Sequence, residues 1–416
     1  MVQKVFLKTF GCRTNIYDSQ IMAQNLVDFE LVASEDLADI VVVNSCTVTN
    51  SADSSARAYI TKLEKDGKKV ILAGCGAMSK GESLFENKKV FGVFGHSEKK
   101  NINTLLKSTQ PFFQLGDLKS LDENIVEDFS AKTKAFIKIQ EGCDFNCSYC
   151  IIPSVRGRAR SQEEAKILLQ VEKLATNGYG EFVLTGTNIG SYGKDKDSSI
   201  ARLLKRMSMI KGVKRIRLGS LEPVQIDDEF MELLDEDWLE KHLHIALQHS
   251  SERMLQIMRR RNSLERDLAL FEKIADRGFA LGTDFIVGHP GESEELWIEA
   301  LENFKKFPVT HLHGFTYSKR EGTHSTTLKG EVNGKIAKER LKTLEKIVKE
   351  NNYKFRQLHD KGLLVLVEET KDDYQVGYDQ YFNRVHIKSP LHLEKEWVYI
   401  DKAQIKEEGT FANIHE

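Results

Sequence analysis

Cys143-Asp-Phe-Asn-Cys147-Ser-Tyr-Cys150 puts three thiols on one short stretch, with gaps of three and two residues. A structural zinc site would normally close four ligands. No nearby cysteine or histidine completes such a set, since His242 and His244 lie far downstream. Three cysteines suit a cubane 4Fe–4S cluster with one iron left open for a substrate or cofactor; zinc and simple packing remain the alternatives. The other three cysteines, Cys12, Cys46 and Cys75, each close a β-rich run, as Phe-Gly-Cys12, Asn-Ser-Cys46 and Ala-Gly-Cys75. Ligands of an open parallel sheet gather beyond the carboxyl ends of its strands. Three thiols distant in sequence can therefore converge on one site, the alternative being unrelated cysteines buried as small hydrophobes.

The elements that must position these thiols follow from the hydrophobic pattern. At 416 residues, 40% apolar and 29% charged, the chain exceeds a single ordinary core and reads as globular, with three domains expected. Predicted strands 4–10, 39–44, 69–73 and 90–94 alternate with helical patterns and make a doubly wound parallel α/β domain over residues 1–106. Asp18 reads as the N-cap of the helix between the first two strands. Residues 107–132 lose periodicity and read as a linker or an edge segment. Strand candidates 134–140, 181–186, 215–219, 243–248, 283–288 and 311–317 then alternate with helices, giving an incomplete (β/α)6 barrel over 133–355 with its chemistry at strand carboxyl ends. A long charged helix at about 335–359 leads to short β runs over 356–416, a small all-β barrel.

Lys plus Arg number 60 against 62 Asp plus Glu, a net charge of -2, so attraction to nucleic acid must be local. Met1–Phe10 lacks the apolar core of a signal peptide, and no stretch of ~18 apolar residues occurs, which predicts a cytoplasmic protein without a membrane segment. In such a compartment six cysteines argue for metal or catalysis rather than disulfides.

The Cys-x3-Cys-x2-Cys spacing with an aromatic before the last cysteine resembles the radical S-adenosylmethionine (SAM) superfamily. The resemblance implies that the open iron chelates the amino and carboxylate groups of SAM, that an electron from the cluster cleaves the sulfonium to a 5′-deoxyadenosyl radical, and that Tyr149 lies against the adenine. Over almost the whole chain the sequence is similar to the methylthiotransferase family, with its three-cysteine N-terminal domain, radical SAM barrel and C-terminal TRAM (OB-like) domain. The supporting segments are Gly142-Cys143 through Ile151-Ile152-Pro153, Arg156-Gly-Arg158-Ala-Arg160-Ser161, Leu184-Thr-Gly186-Thr187-Asn188-Ile-Gly190 and Gly282-Thr-Asp-Phe-Ile-Val-Gly-His-Pro-Gly-Glu292. By that resemblance Cys12, Cys46 and Cys75 hold a second 4Fe–4S cluster whose open iron carries the sulfur. Gly186, Thr187 and Asn188 match where the superfamily contacts the SAM amino group. Ser220, Glu222 and Gln248 follow the third and fourth barrel strands at the depth of SAM ribose or carboxylate contacts, or else satisfy loop backbone. Arg156, Arg158 and Arg160, at two-residue spacing, make a one-sided stripe able to clamp a phosphate or the SAM carboxylate, or a solvated edge. Arg259, Arg260 and Arg261 with Lys214 and Arg215 extend a basic rim for RNA, or are solvated charges.

Within the family, Gly11-Cys12-Arg13-Thr14-Asn15 and Tyr317-Ser-Lys-Arg-Glu-Gly-Thr323 resemble the group acting on N6-threonylcarbamoyladenosine in tRNA. The isopentenyladenosine group typically has Gly-Cys-Gln-Met-Asn, and the group modifying a ribosomal-protein aspartate has Gly-Cys-Pro-Lys-Asn. The expected reaction is methylthiolation at C2 of the adenosine immediately 3′ of the anticodon, using two SAM molecules per turnover. An adenine C2–H is neither acidic nor electrophilic enough for ordinary substitution, which favours a radical route. Expected partners are the tRNA anticodon stem-loop, an electron donor such as flavodoxin or ferredoxin and a sulfur donor of unknown identity; the protein is expected to be a monomer. Residues 356–416 hold more Asp and Glu than Lys and Arg, at odds with an RNA-holding domain, although Lys361, Arg384, Lys388 and His386 could meet phosphates while Tyr374, Tyr378, Tyr381 or Phe382 stack on bases. A cluster-bearing sensor or RNA-binding protein without turnover is the rival from another class.

Overall fold

The computed structural model describes residues 2–48, 50–129 and 132–414, with side chains in the second helix from Ala52 onward. Six parallel strands, β1 (Lys4–Thr9), β2 (Glu30–Leu31), β3 (Ile40–Ser45), β4 (Lys69–Gly74), β5 (Gly92–Phe94) and β6 (Phe112–Gln114), form a first sheet in the order β2-β1-β3-β4-β5-β6. The run Ile40-Val41-Val42-Val43 shows why it is covered on both faces. Ile40 and Val42 pack with Met22 and Leu26 of, or just beyond, α1 (Arg13–Gln24), while Val41 and Val43 pack with Ile60 and Leu63 of α2 (Asn50–Lys65). The strand order reverses between β1 and β3, opening a crevice beyond their carboxyl ends. Cys12 and Cys46 flank that crevice, and Cys75 begins α3 (Cys75–Glu86) directly after β4.

The second body carries β7 (Ala135–Glu141), β8 (Arg160–Ser161), β9 (Glu181–Gly186), β10 (Arg215–Arg217), β11 (His242–His244), β12 (Ala280–Val287) and β13 (His311–Thr316). The sheets β10-β9-β7-β8 and β11-β12-β13 are joined by the parallel bridges Ile216–Leu239 and Leu221–Ile245. With β8 an antiparallel edge, the six parallel strands make the partial barrel. After a helix at Gly334–Leu358, β14 (Lys361–Lys371), β15 (Tyr374–Tyr378), β16 (Arg384–Lys388), β17 (Trp397–Lys402), β18 (Gln404–Lys406) and β19 (Gly409–Asn413) curl into a mainly antiparallel sheet. Barrel arginines dock it: Arg215 donates to the Leu364 carbonyl at 2.8 Å and Arg217 to that of Asp379 at 2.6 Å. Among the described residues no helix is long and apolar enough to cross a membrane.

Of the two readings of 107–132, the described residues show the edge segment: β6 adds an edge strand to the first sheet, and Val126 and Phe129 are buried in the barrel core. One expectation needs correction. Asp18 is not an N-cap. α1 begins at Arg13 with Cys12 at the cap position, and Asp18 lies mid-helix, 1% exposed.

Asp18 sits at the centre of a buried charge network between the two bodies. It accepts from Lys99 and Lys138, each at 2.6 Å, and from Arg156 at 3.0 Å. Glu141 meets Arg156 at 2.5 Å and Lys138 at 2.8 Å, and Asp122 meets Lys99 at 2.8 Å and also Lys138. Three carboxylates thus balance three cations, while burial holds His96 neutral with its pKa lowered to about 3. Although desolvation opposes it, Lys138, Lys99 and Arg156 hold the Asp18 carboxyl well below its usual range. Asp18→Ala leaves an uncompensated buried cation and should cost about 3–5 kcal/mol in denaturant titration, whereas a surface pair would cost under about 1. Because the folded pKa values of Asp18 and Asp122 are depressed, this contribution is complete above the unfolded carboxylate pKa of about 4 and is lost as the pH falls through the folded values. Wild-type stability should therefore fall with acid more steeply than that of Asp18→Ala.

Candidate functional site

Cys143, Cys147 and Cys150 lie on the loop after β7 and line a cavity of about 530 Å³ at the barrel mouth, a size suited to a small-molecule cofactor. Gln140 fixes this loop. Its amide donates to the carbonyls of Glu141 and Gly142 at 2.9 and 2.6 Å, and its Oε1 accepts from the backbone N–H of Thr187 and Asn188 at 3.1 and 2.8 Å. One side chain thereby sets the cysteine loop against the turn after β9. Asn188 Nδ2 donates to Cys143 Sγ at 3.5 Å. Ser148 donates to His289 Nε2 at 3.0 Å, while His289 Nδ1 donates to the Pro290 carbonyl; burial keeps this histidine neutral, its pKa lowered to about 4.

Tyr149, Thr187, Asn188, Ser220, Glu222 and Gln248 all line the 530 Å³ cavity, as expected for residues at strand carboxyl ends, and Gly186 lines its neighbour. Gln248 adopts a left-handed φ of +66°, a strained conformation that aims its side chain at the cavity. Glu222 is already engaged: Arg260 binds it through both Nη atoms and reaches Cys147 Sγ at 3.5 Å. Arg260 is thus a buried cation beside the thiols and not part of an exposed rim, and Arg215 is likewise buried against Glu181 at 2.5 Å. The arginine stripe also fails to form. Arg156 ends a short helix and is buried, Arg158 is exposed, and Arg160 spends its donors on the carbonyls of Ser120, Arg156 and Arg158, away from both cavities.

Cys12, Cys46 and Cys75 follow the carboxyl ends of β1, β3 and β4. Gly11, at φ +101°, passes so close to Cys46 that an added Cβ would lie 2.2 Å from Cys46 Cβ and 2.8 Å from its Sγ. Arg156 Nε donates to Cys75 Sγ at 3.2 Å, and its Nη2 donates to Asn15 Oδ1 at 2.7 Å. Asn15 in turn donates to the Phe10 carbonyl at 2.9 Å, bracing the Cys12 loop. Cys12 and Cys75 line a second cavity of about 1010 Å³. Val48, Ile152, Thr187, Ser220 and Asp284 line both cavities, so one wall separates the two thiol sites.

All six cysteines are free. Burial pushes Cys75 and Cys150 up to about 12 and raises Cys46 and Cys143, which favours the protonated form of these four thiols. That donor set, with a guanidinium against each trio, fits an anionic iron–sulfur group: metal coordination deprotonates thiols whose ionisation burial opposes.

Residues 137–304 match the radical SAM superfamily, and residues 4–95 match the Uncharacterized protein family UPF0004. A provisionally assigned methylthiotransferase of Helicobacter pylori is 52% identical over 99% of this chain and 100% of its own. The threonylcarbamoyladenosine tRNA methylthiotransferase MtaB of Aquifex aeolicus is 33% identical over 85% of this chain and 89% of its own. The chain belongs to the radical SAM methylthiotransferase family. The tRNA-2-methylthio-N(6)-dimethylallyladenosine synthase of Bacillus velezensis, at 32% identity over 93% and 81%, is also similar. The radical SAM methyltransferase TsrM of Kitasatospora setae shares the fold at TM-score 0.57 and 16% identity, covering 78% of this chain and 77% of that one. Membership makes the protein an enzyme and implies a 4Fe–4S cluster and SAM.

A group that sequence reasoning missed lies in the methylthiotransferase's second cavity. His242, His244, His311 and His313 line it together with Asp284, His244 Nε2 standing 3.1 Å and His313 Nδ1 3.5 Å from Asp284 Oδ1. The signal was the repeated His-Leu-His at both edges of β12, where Gly282 leaves the room: a Cβ there would sit 2.6 Å from His244 Nδ1. Glu222→Ala strands the Arg260 cation and should cost about 3–5 kcal/mol, while Glu222→Ala with Arg260→Met should recover most of it. Equal losses in the single and double variants, read by denaturant titration, would contradict the pairing.

Proposed function

We propose that the enzyme carries two 4Fe–4S clusters, one on Cys143, Cys147 and Cys150 and one on Cys12, Cys46 and Cys75, and methylthiolates C2 of N6-threonylcarbamoyladenosine beside the tRNA anticodon. What supports the reading is the shared wall: Cys143, Cys147 and Cys150 line one cavity and Cys12 and Cys75 line the other, the two being divided by five residues, and a cubane on three thiols would keep one iron open. When bound, one cluster supplies the electron that cleaves SAM and the other the sulfur, two SAM molecules being consumed per turnover. The chain's own residues do the positioning. Gln140 and Asn188 hold the first thiol loop against the SAM site, Tyr149 offers a ring to the adenine, and the Arg156 and Arg260 guanidinium groups offset cluster charge. The second cavity, roomier and reached by side chains of the C-terminal sheet, is where a looped-out nucleobase of single-stranded RNA enters.

The substrate choice rests on the Arg13 and Tyr317–Thr323 segments and on the tRNA enzymes among the relatives. The partners are accordingly the anticodon stem-loop of tRNA, a flavodoxin or ferredoxin as electron donor and a sulfur donor of unidentified chemistry, with the enzyme acting as a monomer in the cytoplasm. Nucleoside mass spectrometry of tRNA from cells with and without the gene tests the substrate. The methylthiolated threonylcarbamoyl nucleoside should vanish on deletion, while loss of the isopentenyl product instead would reassign the substrate.

Anaerobic reconstitution followed by dithionite and SAM should yield 5′-deoxyadenosine; its absence would favour a sensor without turnover. Cys46→Ala should lower bound iron and sulfide by about half, since one of two cubanes loses a ligand. Full retention of both would remove the second site.

A further inference from the structure

Arg13 is a buried-side cation without an acceptor. It stands next to Cys12 in the first turn of α1 and lines the 1010 Å³ cavity. Other deep arginines all have partners: Arg156 with Glu141 at 2.5 Å, Arg217 with Glu240 at 2.7 Å, Arg215 with Glu181 at 2.5 Å and Arg260 with Glu222 at 3.0 Å. Arg356, which shares the cavity wall and lacks a carboxylate, donates to Asn352 Oδ1 at 2.8 Å and the Lys406 carbonyl at 3.0 Å. Among the described residues the Arg13 guanidinium has neither an ion pair nor a hydrogen bond. Glu240 lines the same cavity. That carboxylate is already committed to Arg217 and to the Leu218 N–H at 2.6 Å. A guanidinium built into a wall with five unused donors needs an anion from outside.

We infer that Arg13 receives the carboxylate of the threonylcarbamoyl group and so decides which N6 substituent the cavity accepts; the inference rests on the substrate reading above. Although Cys12 precedes it, the Arg13 guanidinium packs toward Phe382 in the turn between β15 and β16. That direction suits a nucleoside whose carboxylate lies several bonds from the carbon to be substituted. Aromatic rings face the guanidinium. Phe382, held at a left-handed φ of +65°, has its ring 5.8 Å from the Arg13 guanidinium carbon and stacks on His242 at 5.2 Å and Tyr378 at 5.0 Å. Burial keeps His242 and His311 neutral, so neither competes for the anion. A planar guanidinium takes a carboxylate through two parallel hydrogen bonds. A neutral isopentenyl group would leave it unpaired.

The test compares three anticodon stem-loop RNAs with the reconstituted holoenzyme: one bearing threonylcarbamoyladenosine, one bearing its neutral methyl ester and one bearing isopentenyladenosine. Wild type should prefer the acid over the ester by on the order of a hundredfold in kcat/KM. Arg13→Gln should bring that ratio close to one by losing the acid while keeping the ester, and Arg13→Lys should retain part of the preference. A ratio unchanged in Arg13→Gln overturns the inference and leaves the substrate reading standing. Turnover by wild type of the isopentenyl RNA and not the threonylcarbamoyl RNA overturns both. Should Arg13→Gln fail to fold, equal wild-type rates on acid and ester overturn the inference by themselves.

Discussion

The Arg156 guanidinium joins the parts of the molecule that must act together. It ends the short helix after the cysteine loop, yet its donors reach Cys75, Asn15 and Asp18 on the N-terminal sheet and Glu141 on the first barrel strand. A buried cation in four-way contact tolerates little displacement, because every lost partner leaves a desolvated charge. Together with Asp18, Lys99, Asp122, Lys138 and Glu141 it makes a network that is neutral as a whole, which specifies the docking of two bodies more than it stabilises them. What it specifies is the position of one thiol trio relative to the other.

The two trios solve the same problem by different routes. Cys143, Cys147 and Cys150 are near in sequence, so one loop and one glutamine suffice to arrange them. Cys12, Cys46 and Cys75 come from three strands and meet only because the sheet order reverses between β1 and β3. The placement of these three thiols therefore depends on the fold, and a metal group held by them would return its binding energy to the fold. High thiol pKa values sharpen the dependence, since each site gains its charge only with the group that it holds.

These differences explain what could be read in advance. Hydrophobic alternation placed the strands, and strands placed the cysteines, so the position of all six cysteines after strand ends and most of the lining of the smaller cavity were legible. Charged residues were not. Asp18 before an apolar run reads as a cap, the Arg156, Arg158 and Arg160 spacing reads as a stripe, and Arg260 in a basic triplet reads as surface. Each outcome turned on a partner far away in the chain: Lys138 for Asp18, Cys75 for Arg156, Glu222 for Arg260. Pattern reports which face a residue occupies, and charge pairing depends on what the fold brings opposite. The 107–132 segment was obscure for a related reason, because its anchors Val126 and Phe129 are too few to make a period.

The acidic C-terminal sheet looks ill suited to RNA while its charge is averaged over the surface. The structure gives it a different task. Arg215 and Arg217, each neutralised by a glutamate, bind its backbone carbonyls and turn the Tyr378–Phe382 edge inward. Phe382 then lies over Arg217, beside Arg13 and against His242 and His311. The sheet thus contributes a wall to the larger cavity, and its net charge matters less than the ring it inserts. An acidic outer surface would not by itself oppose an RNA substrate, because phosphate contacts position an RNA without choosing the base.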